Sequence, residues 1–164
     1  VACRTGAGVN AAIAIRRGER GDREYVYDLG RRTVDSSVSP LRETTLPIVE
    51  LAFERLAEYV FDQSHVTLLA HEGDRKLGFL LLLDQLPDEV TAAPQAFVAY
   101  MAVEPSARRS GVGRALIAAA EVVARERGLP HLSLMVTDAN AAAVDLYTNA
   151  GFQTERRLLT KVLA

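Results

Sequence analysis

Residues 96–136 read AFVAYMAVEPSARRSGVGRALIAAAEVVARERGLPHLSLMV, and the changes of pattern inside that stretch set the fold. Ala96–Val103 is apolar at every position, which suits a central strand covered on both faces. Glu104-Pro105 ends it. From Val112 the period becomes helical, with Val112, Leu116, Ala119 and Val123 on one face. Glu121 and Arg125 form an i,i+4 pair on the exposed side. Gly128 and Pro130 stop the helix. HLSLMV (131–136) then alternates Leu132, Leu134 and Val136 against Ser133 and Met135, which predicts another strand. A strand, a helix and a strand in that order form a parallel pair joined by a right-handed crossover.

The turn inside this unit, ARRSGVGRAL (107–116), carries the chemistry. The first N–H groups of a helix have no partner within it, and the helix dipole favours an anion there. Gly111 and Gly113 let an oxygen approach the backbone with no Cβ in the way. Arg108, Arg109 and Arg114 add charge and forked donors. The spacing predicts a phosphate or pyrophosphate on the N–H groups of Arg109, Ser110, Gly111, Val112, Gly113 and Arg114. The common nucleotide motifs do not fit. G-x-x-x-x-G-K-[ST] is absent, and G-x-G-x-x-G would need glycine where Leu116 stands.

Outward from this unit, the N-terminal half reads as a short strand at Ala12–Arg17, then a helix capped by Asp22 over Arg23–Arg32. Ser36–Pro40 (SSVSP) is a loop. Thr45 caps a second helix with Pro47 in its first turn, and Val49, Phe53, Leu56 and Val60 share one of its faces. HVTLLAHE and KLGFLLLLDQL, joined by Gly73–Arg75, make a hairpin. Asn140 opens a last helix that stops at Gly151, and Phe152–Ala164 is expected to supply one or two closing strands. The result is an α/β fold, a mixed sheet with helices on both faces.

The chain has 164 residues, 49% hydrophobic and 24% charged, the profile of one globular domain. Its net charge of −2 gives no basic excess that would call for nucleic acid. Cys3 is the only cysteine, and His65, His71 and His131 show no metal spacing, so no metal is expected. No apolar run approaches membrane-spanning length. Val1–Ala11 reads as a loose arm or expression remnant rather than a signal segment. With no such segment, a cytoplasmic location is expected.

Arg108-Arg109-Ser110-Gly111-Val112-Gly113 resembles the pyrophosphate signature [Q/R]-x-x-G-x-[G/A] of the GNAT superfamily of acetyl-CoA-dependent N-acetyltransferases. NAAAVDLYTNAGF (140–152) is similar to its N-x-x-A-x-x-L-Y-x-x-x-G-F segment at Asn140, Ala143, Leu146, Tyr147, Gly151 and Phe152. The resemblance implies a GNAT-type bent sheet of six to seven strands flanked by about four helices, with residues 12–164 as one domain. It implies acetyl-CoA as co-substrate. The backbone of Met101, Ala102 and Val103 would pair with the pantetheine arm as an added strand would, and Asn140 would touch the same arm. Homodimerisation is common for this fold.

Acetyl transfer from a thioester to an amine needs a base for the ammonium, a donor for the tetrahedral oxyanion and an acid for the departing thiolate. The resemblance places Tyr147 as that acid, and a phenol with a pKa near ~10 keeps its proton at neutral pH. Asn140 and Tyr147 stand seven residues apart, nearly two turns, on one helical face. The base is open between Glu104, Glu72 and a water chain. Members that acetylate ribosomal-protein N-termini carry Leu-Glu-Val before the asparagine, where this chain has Leu134-Met135-Val136. The acceptor is expected to be a small-molecule amine or a protein or peptide amine. A non-catalytic acyl-CoA sensor and a nucleotide-binding domain are the rival readings.

Overall fold

The computed structural model describes residues 12–163. The arm expected at residues 1–11 lies outside them. The described chain forms strands β1 (Ala14–Arg17), β2 (His65–Glu72), β3 (Arg75–Leu83), β4 (Ala96–Val103) and β5 (Leu132–Leu134). Its helices are α1 (Arg23–Thr33), α2 (Leu46–Asp62), α3 (Val112–Glu126) and α4 (Ala141–Asn149), with short 3-10 turns at Arg20–Asp22, Val34–Ser37 and Pro105–Ala107. The five strands lie in sequence order, all antiparallel except the parallel β4–β5 pair. That pair and its α3 crossover are as the pattern of residues 96–136 predicts.

The sheet divides two cores by strand alternation. Val66, Leu68 and Ala70 of β2 and Leu80 and Leu82 of β3 face Leu116, Ile117 and Ala120 of α3. Leu69, Phe79, Leu81 and Leu83 face Val26 and Leu29 of α1 and Phe53, Ala57 and Val60 of α2. This accounts for the unbroken apolar run in β3, since both of its faces are covered. Each large side chain buried in this way contributes roughly 1.5–3 kcal/mol.

Between Leu81 and Leu82 of β3 the pairing with β4 slips, because Leu81 lies opposite Tyr100 and Leu82 opposite Val98. Ala99 is the extra residue of a β-bulge. Before it, Ala96 and Val98 face α3; after it, Met101 and Val103 do, so Ala99 and Tyr100 both turn toward α1 and α2. β5 pairs only with Ala96–Val98. Past the bulge, residues 99–103 of β4 have no strand on that side among the described residues.

The sheet has five strands among the described residues, not the six to seven expected, because Phe152–Leu163 forms no strand. Two physical reasons are visible. Leu158 and Leu159 are adjacent and so point to opposite sides, and Thr160 and Lys161 interrupt both rows, leaving no wholly apolar face. Arg156 pairs with Asp88 and with Glu89 (3.1 Å) in the β3–β4 connection, which draws the segment there. Leu158, Leu159 and Leu163 stay at least 80% exposed.

Asp22 does not cap α1 with its side chain as expected. It is buried, and its carboxylate accepts from both Nη atoms of Arg16 (2.8 and 2.9 Å) and from the Glu19 N–H (2.8 Å). Lys76 Nζ lies 2.8 Å away. These donors, Arg16 foremost, hold its pKa well below the usual carboxylate range, against the opposing effect of burial. A depressed folded pKa gives stability that is present above the unfolded pKa near ~4 and lost as pH falls through the folded value. Asp22→Asn should therefore cost about 1–3 kcal/mol at pH 7. The gap to wild type should narrow below about pH 4. Urea unfolding at pH 7 and pH 3 checks this, and a gap independent of pH would contradict it.

Candidate active site

The site begins where β4 leaves its sheet. After Val103, Glu104 donates its N–H to Leu77 O (2.8 Å), and Pro105–Ala107 turns the chain toward α3. Arg109 (φ +63°) and Gly111 (φ +92°) both occupy the left-handed region. Ser110 between them is pinned by its hydroxyl, which donates to Ala107 O (2.6 Å). Left-handed residues in a tight turn swing successive N–H groups to one side, the arrangement that makes an anion nest. Ala115 is the first α3 residue to reach a carbonyl, Gly111 O at 3.0 Å, so the N–H groups of Val112, Gly113 and Arg114 lack intrahelical partners. A Cβ on Gly111 would meet nothing within 4 Å, so the nest opens outward. Gly113 has another purpose, since a Cβ there would lie 2.9 Å from Leu146 Cδ2. Its lack of a side chain lets α3 and α4 approach. Arg108, Arg109 and Arg114 are exposed and form no ion pair among the described residues. Beside them, a groove of about 440 Å³ runs between α3 and α4, lined by Arg114, Ile117, Ala118, Glu121, Asn149 and Ala150.

The other wall is built from α4. Asn140 caps that helix, its Oδ1 accepting from Ala143 N–H (3.2 Å). Its Nδ2 donates to Ser36 O (3.1 Å), and Thr137 Oγ1 donates to Ser37 O (2.5 Å). The α1–α2 connection is thereby tied to the turn after β5. Tyr147 packs edge-to-face on Phe152, with centroids 5.7 Å apart. Its hydroxyl makes no hydrogen bond among the described residues, and burial, then the nearby Tyr100 phenol, raises its pKa. Tyr100 itself, at the bulge, packs on Phe53 (4.7 Å) and Phe79 (6.1 Å). The bulge that also sets it at the mouth of the β4–β5 gap is unmarked in a uniformly apolar strand.

The carboxylates named from sequence lie elsewhere. Glu104 is four residues beyond Tyr100 along β4, roughly 13 Å of strand. Its carboxylate accepts from Arg32 Nη2 (3.0 Å) and Nη1 (3.3 Å), and Arg32 also reaches Asp28 (2.8 Å). Burial and the same Glu104 raise the Tyr25 pKa. Glu72 sits at the hairpin tip opposite Arg75, with 4.0 Å between their charged atoms. Met135 is 85% exposed. Among the described residues no group of three His, Cys, Asp or Glu side chains is placed to hold a metal ion, and no helix is long and apolar enough to cross a membrane.

A parallel strand pair that parts at a bulge thus lies beside a helix-terminal nest of N–H groups in an α/β domain. Residues 37–152 match the model of the acetyltransferase (GNAT) family, and the chain belongs to that family of acyltransferases. The [ribosomal protein bS18]-alanine N-acetyltransferase of Escherichia coli (strain K12) is 31% identical over 121 residues, 71% of this chain and 80% of that one. A Pyrococcus furiosus protein described as an acetyl transferase is 26% identical, with a TM-score of 0.78 over 93% of this chain and 100% of its own. The fold also matches AAC(6')-Iy, solved with the bisubstrate analog CoA-S-monomethyl-acetylneamine, at a TM-score of 0.68 and 18% identity over 93% and 99% of the two chains.

Proposed function

We propose that this protein moves an acetyl group from acetyl-CoA directly to a primary amine, with residues 12–164 acting as one catalytic domain. The observation that carries the reading is the nest at Arg109–Arg114 set at the open end of the β4–β5 gap. The nest and the arginines take the pyrophosphate, and Arg114 also borders the groove along α3 and α4. The pantetheine arm lies along Met101, Ala102 and Val103, on the side of β4 away from β3, where β5 no longer pairs with it. CoA in the AAC(6')-Iy complex supports the co-substrate. Use of acetyl-CoA fits a cytoplasmic site of action.

In the reaction the neutral amine attacks the thioester carbonyl, a tetrahedral oxyanion forms, the C–S bond breaks, and the sulfur takes a proton. Tyr147 supplies that proton. Its hydroxyl is uncommitted and its raised pKa keeps it protonated. Glu104, held on Arg32, and Glu72, at the hairpin tip, are poorly placed to take the ammonium proton. That proton leaves through water. Asn140 fixes the α4 wall and the α1–α2 connection through one bond at Oδ1 and one at Nδ2, and its second N–H stays available to the pantetheine arm.

Calorimetric binding of acetyl-CoA, in competition with ATP, tests the ligand, and thiol release across a panel of amines tests the transfer. Preference for ATP would overturn the ligand, and tight acetyl-CoA binding without turnover on any amine would favour a sensor. Gly111→Val should weaken acetyl-CoA at least tenfold. A β-branched residue resists the left-handed conformation, and its side chain fills the approach to the nest. Unchanged affinity in that variant would remove the nest from the site.

A further inference from the structure

Between the end of β4 and the nest, the chain is tied at intervals of three residues. Glu104 N–H donates to Leu77 O, which keeps Glu104 on the margin of β3, and Glu104 O accepts from Ala107 N–H (2.8 Å). Ala107 is buried in the core that α3 covers, and its O accepts from the Ser110 hydroxyl (2.6 Å). Ser110 lies between Arg109 and Gly111, the two left-handed residues of the nest. The place of Glu104 is thereby passed along the turn to the N–H groups that face the ligand.

One side chain fixes Glu104 from outside this turn. Arg32 Nη2 donates to Glu104 Oε1 (3.0 Å) and Nη1 to Oε2 (3.3 Å), a two-pronged contact that sets orientation as well as distance. Arg32 is braced in turn, since its Nε and Nη2 donate to Asp28 Oδ2 (3.0 and 2.8 Å). The helix turn that carries it is rigid. Leu29, Gly30 and Thr33 are buried, and Thr33 Oγ1 donates to Leu29 O (2.8 Å). Among the described residues no other side-chain hydrogen bond joins α1 to residues 104–111. The Glu104 side chain is only 19% exposed, so water screens this pair less than it screens the other ion pairs of α1.

We infer that Arg32 is a positioning residue for the pyrophosphate of the cofactor: through Glu104 it sets the turn 104–111 and so the aim of the nest. A preorganised site loses affinity steeply when its donors shift, even where the change lies away from the ligand. The assignment rests on the acetyl-CoA reading above. It concerns only the pyrophosphate end, so the two are separable by experiment.

Acetyl-pantetheine supplies the test, because it carries the same thioester and arm but no pyrophosphate. Arg32→Ala, Arg32→Lys, Glu104→Ala, the pair Arg32→Ala/Glu104→Ala and the control Asp28→Asn are titrated with acetyl-CoA by calorimetry. Each is then assayed for thiol release with either thioester, and its Tm is measured. Arg32→Ala should bind acetyl-CoA about tenfold more weakly. Its kcat at saturating acetyl-CoA and its kcat/KM on acetyl-pantetheine should stay within about twofold of wild type, because the reacting end is untouched. Arg32→Lys should fall between, and Asp28→Asn should behave as wild type. The pair should bind no more weakly than the weaker single variant, because both changes break one contact. Unchanged acetyl-CoA affinity in Arg32→Ala, with a wild type that prefers acetyl-CoA, overturns the assignment and leaves the nest standing. Equal losses on the two thioesters also overturn it, because the effect is then one of general structure, as do losses that add in the pair. If the wild type uses both thioesters equally well, the nest and Arg32 fall together.

Discussion

Tyr147→Phe is expected to lower kcat by about 10²–10⁴-fold, the usual contribution of a positioned acid. The substitution deletes one oxygen that makes no hydrogen bond among the described residues, and the ring keeps its contact with Phe152. Folding and acetyl-CoA affinity should therefore stay near wild type. The pH dependence gives a second check. An acid must be protonated to act, and burial with the Tyr100 phenol raises this one above its ordinary value near ~10. Wild-type turnover should then show no alkaline decline from this group until beyond pH ~10. Wild-type kcat in Tyr147→Phe would remove Tyr147 from the proton path.

Gly30→Ala should be the more damaging change to stability. Gly30 lies in α1 against α2, and a Cβ there would fall 1.9 Å from Phe53 Cζ and 2.0 Å from Cε1. Alanine in a helix is ordinarily better than glycine by about 1 kcal/mol. Here overlap with a buried, inflexible ring outweighs that gain, and overpacking of this kind costs about 1–3 kcal/mol, sometimes more. For a domain of this size each kcal/mol moves Tm by roughly 2–4 °C, so a fall of several degrees is expected. Thermal unfolding of Gly30→Ala, Phe53→Leu and the pair tests the cause. The double variant should be less destabilised than the two single losses added together. A Tm at or above wild type in Gly30→Ala would show that the two helices separate at little cost.

Much of this architecture is legible in the sequence because changes of period mark it. The shift from the apolar strand to Val112, Leu116, Ala119 and Val123 announces β4 and α3, and Asn140 announces the start of α4. The bulge at Ala99 leaves no such mark, since AFVAYMAV is apolar throughout and an extra residue breaks no visible alternation. The tie between the α1–α2 connection and the turn after β5 is hidden for a different reason. Its bonds join Ser36 to Asn140 and Ser37 to Thr137 across at least 100 positions, and they use backbone carbonyls that any residue would supply. Glu104 looked available as a base because Arg32, its partner, lies 72 residues away. The expected closing strands failed on local grounds, since neither face of residues 158–163 is wholly apolar.

The way this sheet ends has a bearing on how the protein behaves at high concentration. A row of unpaired strand groups at the margin of a sheet is adhesive, and long flat margins template aggregation. Here both margins are short: β1 is four residues long and bears Arg16 and Arg17, and β5 is three. The longer run without a β5 partner, residues 99–103, is held on its other side by the pairing of residues 100–103 with β3, and none of its residues is fully exposed. The molecule thus keeps a backbone able to receive an extended ligand while offering other copies of itself little edge to join.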